Sequence, residues 1–404
     1  MHSRPPESLK RVAAHVAGMI TTGQSGDSQD LIRQVLDYAR KNTEDQYRVG
    51  VWQAETIHSE VHYVRDVQLE SEWSLWANVH TIPPKTEARR VAFLGESAAR
   101  GFLYDPGYTP AQVLEEWING MQDALEGEVI DLARTNQGIH ELVETLLASL
   151  VLEPDALVIF AGNNWLSPSL LTRADVGLLS EQLDASGNAG AVRQLLEKKI
   201  EDMVGRLLRY VADLSAIGGI PAVMVIPEYN LVDTRSTDHE KVLSRLAKED
   251  LLSWLAAKES AEEALAKADF EEAAAQARRL VSIDASHPTG YELLGQCLLS
   301  QGFTREARKN LEAARDTALC LRSVSKPRIL TVIRDTILAQ APGLGIAVVD
   351  LQTEFDRYAG GKLPGKELFL DYCHLTARGM QVAMKATADR LLPLLGGRPG
   401  AGTS

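Results

Sequence analysis

The sequence predicts an α/β fold, in which a five-stranded parallel sheet lies between two layers of helices. Short apolar runs of strand length alternate with longer stretches whose apolar residues recur at helical spacing. Strands that alternate with helices pair in parallel, because each crossover returns the chain to the same end of the sheet. The predicted strands are residues 91–94, 129–132, 156–160, 222–226 and 346–349. Ligands bind beyond the carboxyl ends of such strands, so the residues that follow each strand are candidates for function.

Length, charge and composition limit the class of protein. A chain of 404 residues is long for one domain, so we expect about two or three units. The net charge of −13 argues against a nucleic-acid partner and against an anionic membrane surface. No apolar run approaches the roughly 20 residues that span a bilayer, and the first residues lack a secretory signal, so we expect a cytoplasmic protein. The three cysteines, Cys297, Cys320 and Cys373, lack the spacing of metal ligands, and no metal or cofactor is predicted.

The interval between the fourth and fifth strands is too long for one crossover helix, and it contains an internal repeat. Residues 269–274 recur thirty-three residues later as residues 302–307, each with phenylalanine in second place and alanine in last place. The residues around the second copy have the spacing of a tetratricopeptide repeat, namely Tyr291, Leu294, Gly295, Leu298, Ala307, Leu311 and Ala314. We therefore predict about two tetratricopeptide-like repeats inserted in the sheet domain, with a generic helical hairpin as the alternative.

The insertion divides the chain into segments. We expect an N-terminal accessory region (1–88), a first part of the sheet domain (89–250), the inserted helices (251–320), a second part of the sheet domain (321–395) and a disordered tail (396–404). The accessory region contains helix-like stretches and possible strands with Trp52, Trp73 and Trp76. So few repeats do not form a stable solenoid, so the insertion is expected to pack on the sheet domain.

The first predicted strand leads into Gly95-Glu96-Ser97, which places a serine just beyond the carboxyl end of a strand. The small residues that follow predict a helix start, where backbone N–H groups and the helix dipole stabilise an anion. A helix-capping serine has the same pattern, so Ser97 by itself does not establish a nucleophile. A second motif, Gly26-Asp27-Ser28, follows loop composition instead of a strand, and Asp27 or Ser28 is predicted to cap a helix that begins near Leu31.

An acid and an imidazole lie close together near the C-terminus. Asp371 precedes His374 by three residues, after the fifth predicted strand. A carboxylate at this spacing can orient the imidazole and stabilise the imidazolium that forms when the ring takes a proton from a serine. Ser97, His374 and Asp371 therefore have the chemistry of a nucleophile, a base and an orienting acid, although a lone histidine before a helix is usually a surface residue.

Asparagines follow the second and third predicted strands. Asn163 and Asn164 come after the third strand, where they either stabilise a turn or donate an amide N–H to an oxyanion. The loop after the second strand contains Asn136 and Gly138, and either of them offers a further backbone N–H.

Three further charged residues lie near the predicted crevice. Glu228 follows the fourth strand and is a candidate to shape the substrate pocket, while Arg100 and Arg134 are candidates to bind an anionic group of the substrate. Solvated loop charges have the same pattern, so both interpretations stay open. The residues predicted to be structural or to point away from the site are Cys373, His140 and His287.

The order and placement of these residues resemble those of the SGNH, or GDSL-like, serine hydrolases. Gly95-Glu96-Ser97 is similar to the serine motif of that family, with Glu in place of Asp. Gly162-Asn163-Asn164 is similar to its third block, and Asp371 with His374 to its last block. The likeness covers about residues 88–230 and 340–394, and it is greatest to a branch that also contains tetratricopeptide helices.

The resemblance implies a flavodoxin-like sandwich with Ser97 as nucleophile, His374 as base and acid, and Asp371 as the partner of His374. It also implies Asn164 as an oxyanion donor. The sequence departs from the family in the second block, where a glycine is usual and Asn136 stands here, with Gly138 as the other alignment. Asn tolerates left-handed backbone better than most residues, so its N–H can still serve.

The function implied by the resemblance is an esterase that works through an acyl-serine intermediate on a small-molecule ester or thioester. An acyltransferase or condensing enzyme is the first alternative, and its acyl donor can be carried by a protein partner such as an acyl carrier bound to the repeats. A non-catalytic protein-binding scaffold is the second alternative. The sequence does not separate hydrolysis from transfer, because both use one triad.

Overall fold

The computed structural model describes residues 9–23, 28–41, 48–121, 126–166, 172–186, 190–318 and 326–396. Within these ranges the strands form a small antiparallel sheet and a larger parallel sheet. The strands are β1 (Arg48–Val49), β2 (Trp52–Ile57), β3 (Glu60–Arg65), β4 (Thr81–Ile82), β5 (Arg89–Gly95), β6 (Gly127–Asp131), β7 (Ala156–Phe160), β8 (Ala222–Ile226) and β9 (Ala347–Asp350).

The central sheet contains β5 to β9 in the order β6-β5-β7-β8-β9, and all of its neighbouring strands pair in parallel. The prediction of an α/β fold with a five-stranded parallel sheet is confirmed. The side chains of Val91 and Phe93 face one hydrophobic core, and those of Ala92 and Leu94 face the other, because alternate residues of a strand point to opposite faces. Gly95 pairs with Phe160, so the segments that follow β5 and β7 leave the sheet side by side.

Helices cover both faces of the central sheet. The helices are α1 (Leu9–Thr22), α2 (Ser28–Lys41), α3 (Ser97–Arg100), α4 (Pro110–Met121), α5 (Ile139–Ala148), α6 (Arg173–Ser186), α7 (Gly190–Gly218), α8 (Lys248–Ala266), α9 (Phe270–Ile283), α10 (Pro288–Ser300), α11 (Thr304–Thr317), α12 (Thr331–Gln340), α13 (Leu351–Tyr358) and α14 (Ala377–Gly396). α1, α2, α5, α7 and α12 share the core on one face, and α4, α13 and α14 share the core on the other. Within the described ranges, no helix has the length and apolar character needed to cross a membrane.

The N-terminal helices belong to the core of the sheet domain. α1 packs on α5 and α2 packs on α7, which buries Val16 and Ile32 in the same cluster as Leu94. α2 begins at Ser28, three residues before the predicted start at Leu31. Asp27, the other predicted cap, lies outside the described residues, as do residues 397–404 of the predicted tail.

The antiparallel sheet that follows is built around two tryptophans. The rings of Trp52 and Trp76 lie 5.5 Å apart in an edge-to-face arrangement. Gly50 has a φ of +56°, and a Cβ at this position would lie 2.4 Å from the ring of Trp76. Only glycine combines this backbone with so close an approach, so Gly50 sets the position of Trp76 against the sheet domain.

The helices α8 to α11 have a hydrophobic cluster of their own. A Cβ on Gly295 of α10 would lie 2.6 Å from Leu311 of α11, so these two helices approach closely. Small buried residues such as Ala261 and Ala277 have the same effect between α8 and α9, because they let the two backbones come near each other. The close packing of successive helices follows from the small residues that recur in the sequence.

A buried polar network joins these helices to the sheet domain. Arg328 pairs with Glu240 and donates to the carbonyl oxygens of Arg315 (3.3 Å) and Ala318 (3.2 Å) at the end of α11. The backbone N–H of Arg328 donates to the carbonyl oxygen of Asn163 at 2.8 Å. A buried ion pair is weak evidence for added stability, so we interpret this network as contacts that hold the end of the insertion beside the loop after β7.

Candidate active site

Ser97, His374 and Asp371 form a continuous chain of hydrogen bonds at the carboxyl edge of the central sheet. Oγ of Ser97 lies 2.8 Å from Nε2 of His374, and Nδ1 of His374 lies 2.7 Å from Oδ2 of Asp371. Both contacts are satisfied when Nδ1 donates to the carboxylate and Nε2 accepts the hydroxyl proton. Ser97 is 9% and His374 is 4% exposed, so the pair is largely shielded from water.

A tight turn between β5 and α3 positions Ser97. A Cβ on Gly95 would lie 2.1 Å from the carbonyl oxygen of Phe160, so the turn requires glycine at this point. Glu96 has extended backbone at the start of α3, and Gly101 ends the helix in the left-handed conformation. Ser97 therefore lies on a short element whose two ends are both constrained.

The loop before α14 positions the imidazole. Oδ1 of Asp371 accepts hydrogen bonds from the backbone N–H groups of Cys373 and His374, both at 2.9 Å, while Oδ2 faces the ring. Burial opposes ionisation of Asp371, but the hydrogen bonds from the ring and from the two backbone groups outweigh it and lower the pKa of this carboxyl. A carboxylate that stays ionised and fixed at both oxygens holds the ring in one tautomer.

Asn230 connects this loop to the end of β8. Its buried side chain donates to the carbonyl oxygen of Asp371 at 3.1 Å, and its backbone N–H donates to the carbonyl oxygen of Tyr372 at 2.9 Å. Asn230 therefore holds Asp371 in place through the backbone. Sequence reasoning missed this residue, because nothing in the segment Pro227–Asn230 indicates a partner 141 residues away.

Glu96 organises the loop after β7. Its carboxylate accepts hydrogen bonds from three successive backbone N–H groups. Oε1 accepts from Gly162 and Asn164, each at 3.1 Å, and Oε2 accepts from Asn163 at 2.9 Å. Burial raises the pKa of Glu96 to about 7, against these three bonds, which lower it. The residue before Ser97 therefore holds the loop that carries the candidate oxyanion donor.

Asn164 and Asn136 lie on the wall of one cavity, with a volume of about 760 Å³. The backbone N–H of Asn164 is bonded to Glu96, so the donor that Asn164 can offer a substrate is its side-chain amide. Asn136 has a φ of +58°, the left-handed conformation that asparagine tolerates. The N–H of Gly138 is bonded to the carboxylate of Glu141 at 3.0 Å, which favours Asn136 over Gly138 as the second donor.

The other charged candidates are engaged by protein groups. Arg100 donates to Thr135 at 2.9 Å and to Asp105 at 2.5 Å, and the guanidinium of Arg134 lies 5.7 Å from the ring centroid of Trp76. Glu228 is buried and lies 3.6 Å from Arg308 of α11. Burial raises the pKa of Glu228 to about 7, although Arg308 opposes this. These contacts place the three side chains in the framework around the site.

The remaining predicted residues have structural surroundings. His287 caps α10, where its Nδ1 accepts from Thr289, and burial lowers its pKa to about 4. His140 lies 3.6 Å from Glu144 on the following turn of α5 and borders the cavity.

Cys373 lies beside His374 in the chain, and burial raises the pKa of its thiol well above the usual value. The ligand atoms of Asp371, Cys373 and His374 lie within 4.8 Å of one another, a spacing that a metal ion could use. However, Oδ2 of Asp371 and Nδ1 of His374 bond each other, and a thiol with a raised pKa is a poor ligand. The donor set does not fit a metal well.

Two aromatic side chains border the imidazole. The ring centroid of Phe102 lies 4.8 Å from that of His374, and the ring centroid of Tyr372 lies 5.7 Å from it. Sequence reasoning missed the ring of Phe102, because residues 101–104 have no strand or helix periodicity.

No protein-family model matches the chain, and no curated protein matches it.

Proposed function

We propose that the chain is a serine esterase of the SGNH type, which cleaves an ester or thioester through an acyl intermediate on Ser97. The observation that carries the proposal is the unbroken path from Oγ of Ser97 through both nitrogens of His374 to Asp371, with contacts of 2.8 and 2.7 Å. A serine that only caps a helix has no need of an imidazole at hydrogen-bond distance. Here the imidazole comes from a residue 277 positions away.

In the acylation step, Oγ of Ser97 forms a bond to the carbonyl carbon of the substrate. Nε2 of His374 takes the hydroxyl proton, and Asp371 stabilises the resulting imidazolium through Nδ1. The tetrahedral intermediate then collapses, the bond to the leaving oxygen or sulfur breaks, and His374 transfers its proton to that atom. The acyl group remains on Ser97.

In the deacylation step, water attacks the acyl-serine from the position that the leaving alcohol or thiol has vacated. Nε2 of His374 removes a proton from the water, whose oxygen forms a bond to the acyl carbon. Collapse of the second intermediate breaks the bond to Oγ, and the same proton returns to Ser97. The acid is released and the triad returns to its starting state.

The side-chain amide of Asn164 and the backbone N–H of Asn136 are the proposed oxyanion donors. Both residues border the same cavity, and Asn136 has the left-handed backbone conformation, with a φ of +58°. An oxyanion donor contributes roughly a hundred- to a thousand-fold in rate, because it stabilises charge that exists only in the transition state. Glu96 keeps the Asn164 loop in place before the substrate arrives.

We assign α8 to α11 to two tetratricopeptide-like repeats. The recurrence of residues 269–274 at 302–307 and the close approach of Gly295 to Leu311 support this assignment. Such helices commonly bind protein segments, which is compatible with an acyl donor carried on a protein partner.

The acyltransferase remains a second candidate function. The observation that favours it is the burial of Ser97 and His374, since an enclosed pair gives bulk water less access to the acyl-serine. Assays of aryl esters with and without an added alcohol or amine separate the two functions. Acyl product on the acceptor in excess over free acid indicates transfer, and free acid alone indicates hydrolysis.

Labelling with a fluorophosphonate tests the nucleophile directly. We expect one adduct, found on Ser97 by mass spectrometry, and we expect labelling to be abolished in Ser97→Ala and to be slowed at least a thousand-fold in His374→Ala. Ser300→Ala, a change at an exposed serine at the end of α10, is the matched control and keeps the wild-type labelling rate. Folded protein that takes no label would exclude the esterase and leave the scaffold hypothesis.

A further inference from the structure

The cavity lined by Asn136 and Asn164 is a candidate binding site for the part of the substrate that lies beyond the ester. It lies where the end of α1, the start of α5 and the middle of α7 meet the loop after β7. Its volume of about 760 Å³ lies in the upper part of the range of roughly 300–1,000 Å³ that is usual for small-molecule sites. A short alkyl ester needs much less space than this.

The cavity offers hydrogen-bond donors and acceptors in about equal measure. The side-chain amides of Asn136 and Asn164 each carry both a carbonyl acceptor and two N–H donors. The hydroxyls of Thr21 and Thr22 donate to carbonyl oxygens of α1, at 2.8 and 2.7 Å, and so keep their lone pairs as acceptors. A ligand that both donates and accepts, as a hydroxyl group does, matches this lining.

The charges on the cavity wall balance and already have protein partners. Lys199 pairs with Asp175 at 2.8 Å, and Asp202 pairs with Lys198 at 2.9 Å. Arg206 donates from Nε to the carbonyl oxygen of Ile20 at 2.6 Å, which also ties the end of α1 to α7. The fourth charged group, the carboxylate of Glu141, accepts a hydrogen bond from the N–H of Gly138. With two cations offset by two anions, the wall favours an uncharged ligand over a phosphate or carboxylate.

We propose that this cavity binds an uncharged, hydroxyl-rich group, such as a sugar or another polyol, which is joined by the ester to the acyl group that Ser97 receives. This inference rests on the proposed function for the position of the ester. In this arrangement the hydroxyl-rich part contacts Asn136 and Asn164, and the ester extends from these residues towards Ser97, which is not itself on the wall of the cavity. The N-terminal helix α1 is then a part of the substrate site, which gives the first segment of the chain a role in specificity.

The test compares a sugar ester with an alkyl ester of the same acid, on a variant that fills the cavity. Thr22→Trp adds a large side chain at the last residue of α1, and Ser300→Trp makes the corresponding change at the last residue of α10. For mono-O-acetyl glucose we expect Thr22→Trp to lower kcat/KM at least tenfold, while ethyl acetate changes by less than about twofold. Ser300→Trp leaves both values unchanged.

A binding measurement without turnover separates this inference from the proposed chemistry. Ser97→Ala, titrated with glucose and with mono-O-acetyl glucose in a calorimeter, is expected to bind both, and Ser97→Ala with Thr22→Trp is expected to bind neither. Fluorophosphonate labelling of Thr22→Trp at the wild-type rate shows that the nucleophile is intact. If Ser97→Ala binds the sugar but the wild type takes no label, only the esterase is refuted. If Ser97→Ala binds no sugar although the wild type labels normally, or if glucose 6-phosphate binds more tightly than glucose, the hydroxyl-rich ligand is refuted.

Discussion

Replacement of Glu96 by glutamine tests whether this carboxylate positions the oxyanion loop. Glutamine has nearly the same shape, but only one of its terminal atoms accepts hydrogen bonds. In the better orientation of the glutamine, Oε1 keeps the hydrogen bonds from Gly162 and Asn164. The new amide nitrogen then faces the N–H of Asn163, which in the wild type donates to Oε2 at 2.9 Å. One buried donor then loses its acceptor and faces a second donor.

The magnitude follows from that single lost acceptor. A buried donor without a partner costs about 1–3 kcal/mol, so we expect Glu96→Gln to lower the free energy of unfolding by about that amount. Displacement of the Asn164 amide lowers the rate of fluorophosphonate labelling by up to roughly a hundred- to a thousand-fold, the effect of one oxyanion donor. Chemical denaturation and single-turnover labelling measure the two quantities on the same preparation.

The pH dependence has a definite sign. The folded pKa of Glu96 is raised from 4.5 to about 7, so its contribution to stability is fully present below pH 4.5 and is lost as the pH rises through 7. Glutamine does not titrate. The stability difference between wild type and Glu96→Gln is therefore expected to be larger at pH 5 than at pH 8.

The control for this experiment is Glu292→Gln in α10. Glu292 is also a buried glutamate, and its carboxylate accepts the backbone N–H of Ser236 at 2.7 Å. The change is expected to lower stability without lowering the labelling rate of the folded protein. A labelling rate in Glu96→Gln equal to that of wild type refutes the positioning role, and a stability difference that grows with pH contradicts the raised pKa of Glu96.

Three further changes give separate tests. Asn164→Ala is expected to lower kcat by roughly a hundred- to a thousand-fold with little change in stability, because its side-chain amide is the proposed oxyanion donor; an unchanged kcat assigns the donor elsewhere. Asn136→Gly keeps the backbone N–H and suits the φ of +58°, so the labelling rate is expected to stay within about threefold, while activity on mono-O-acetyl glucose falls with loss of the amide; a large loss of labelling contradicts this. Asp371→Asn is expected to lower kcat by about 10⁴. Because the folded pKa of Asp371 lies below 3.8, the stability that Asp371 contributes is present above pH 3.8 and is lost as the pH falls through the folded pKa. Thermal melts at low pH are expected to show this decline in the wild type and not in Asp371→Asn.

The strands of the central sheet were predictable because each is encoded in a few adjacent residues. Residues 91–94 and 222–226 are apolar throughout, as strands covered on both faces must be, and both lie within observed strands. Residues 222–226 coincide with β8, whereas the limits of 91–94 moved by one or two residues, since pairing with a neighbour extends β5 into residues with no apolar signal, such as Arg89 beside Gly127.

The candidate site was predictable in part for the same reason. Ser97 directly follows a recognisable strand, and Asp371 and His374 follow the last strand after α13, so the rule that strand ends meet at one edge predicts that they converge. Asn230 and Phe102 could not be found this way. Asn230 acts through a contact with the carbonyl oxygen of Asp371, and Phe102 acts through its ring beside His374. Neither relation leaves a pattern in the local sequence.

By itself the sequence determined the α/β architecture and the chemistry of the residues at the strand ends, because periodicity, strand composition and short motifs are local properties. Only the tertiary structure decided what surrounds those residues. Three kinds of contact join segments far apart in the chain. Glu96 accepts hydrogen bonds from three N–H groups after β7, and Arg328 donates to the carbonyl oxygen of Asn163. Thr21 and Asn164 line the same cavity. Their relative positions depend on how helices pack on the two faces of the sheet, and that packing is a property of the whole core.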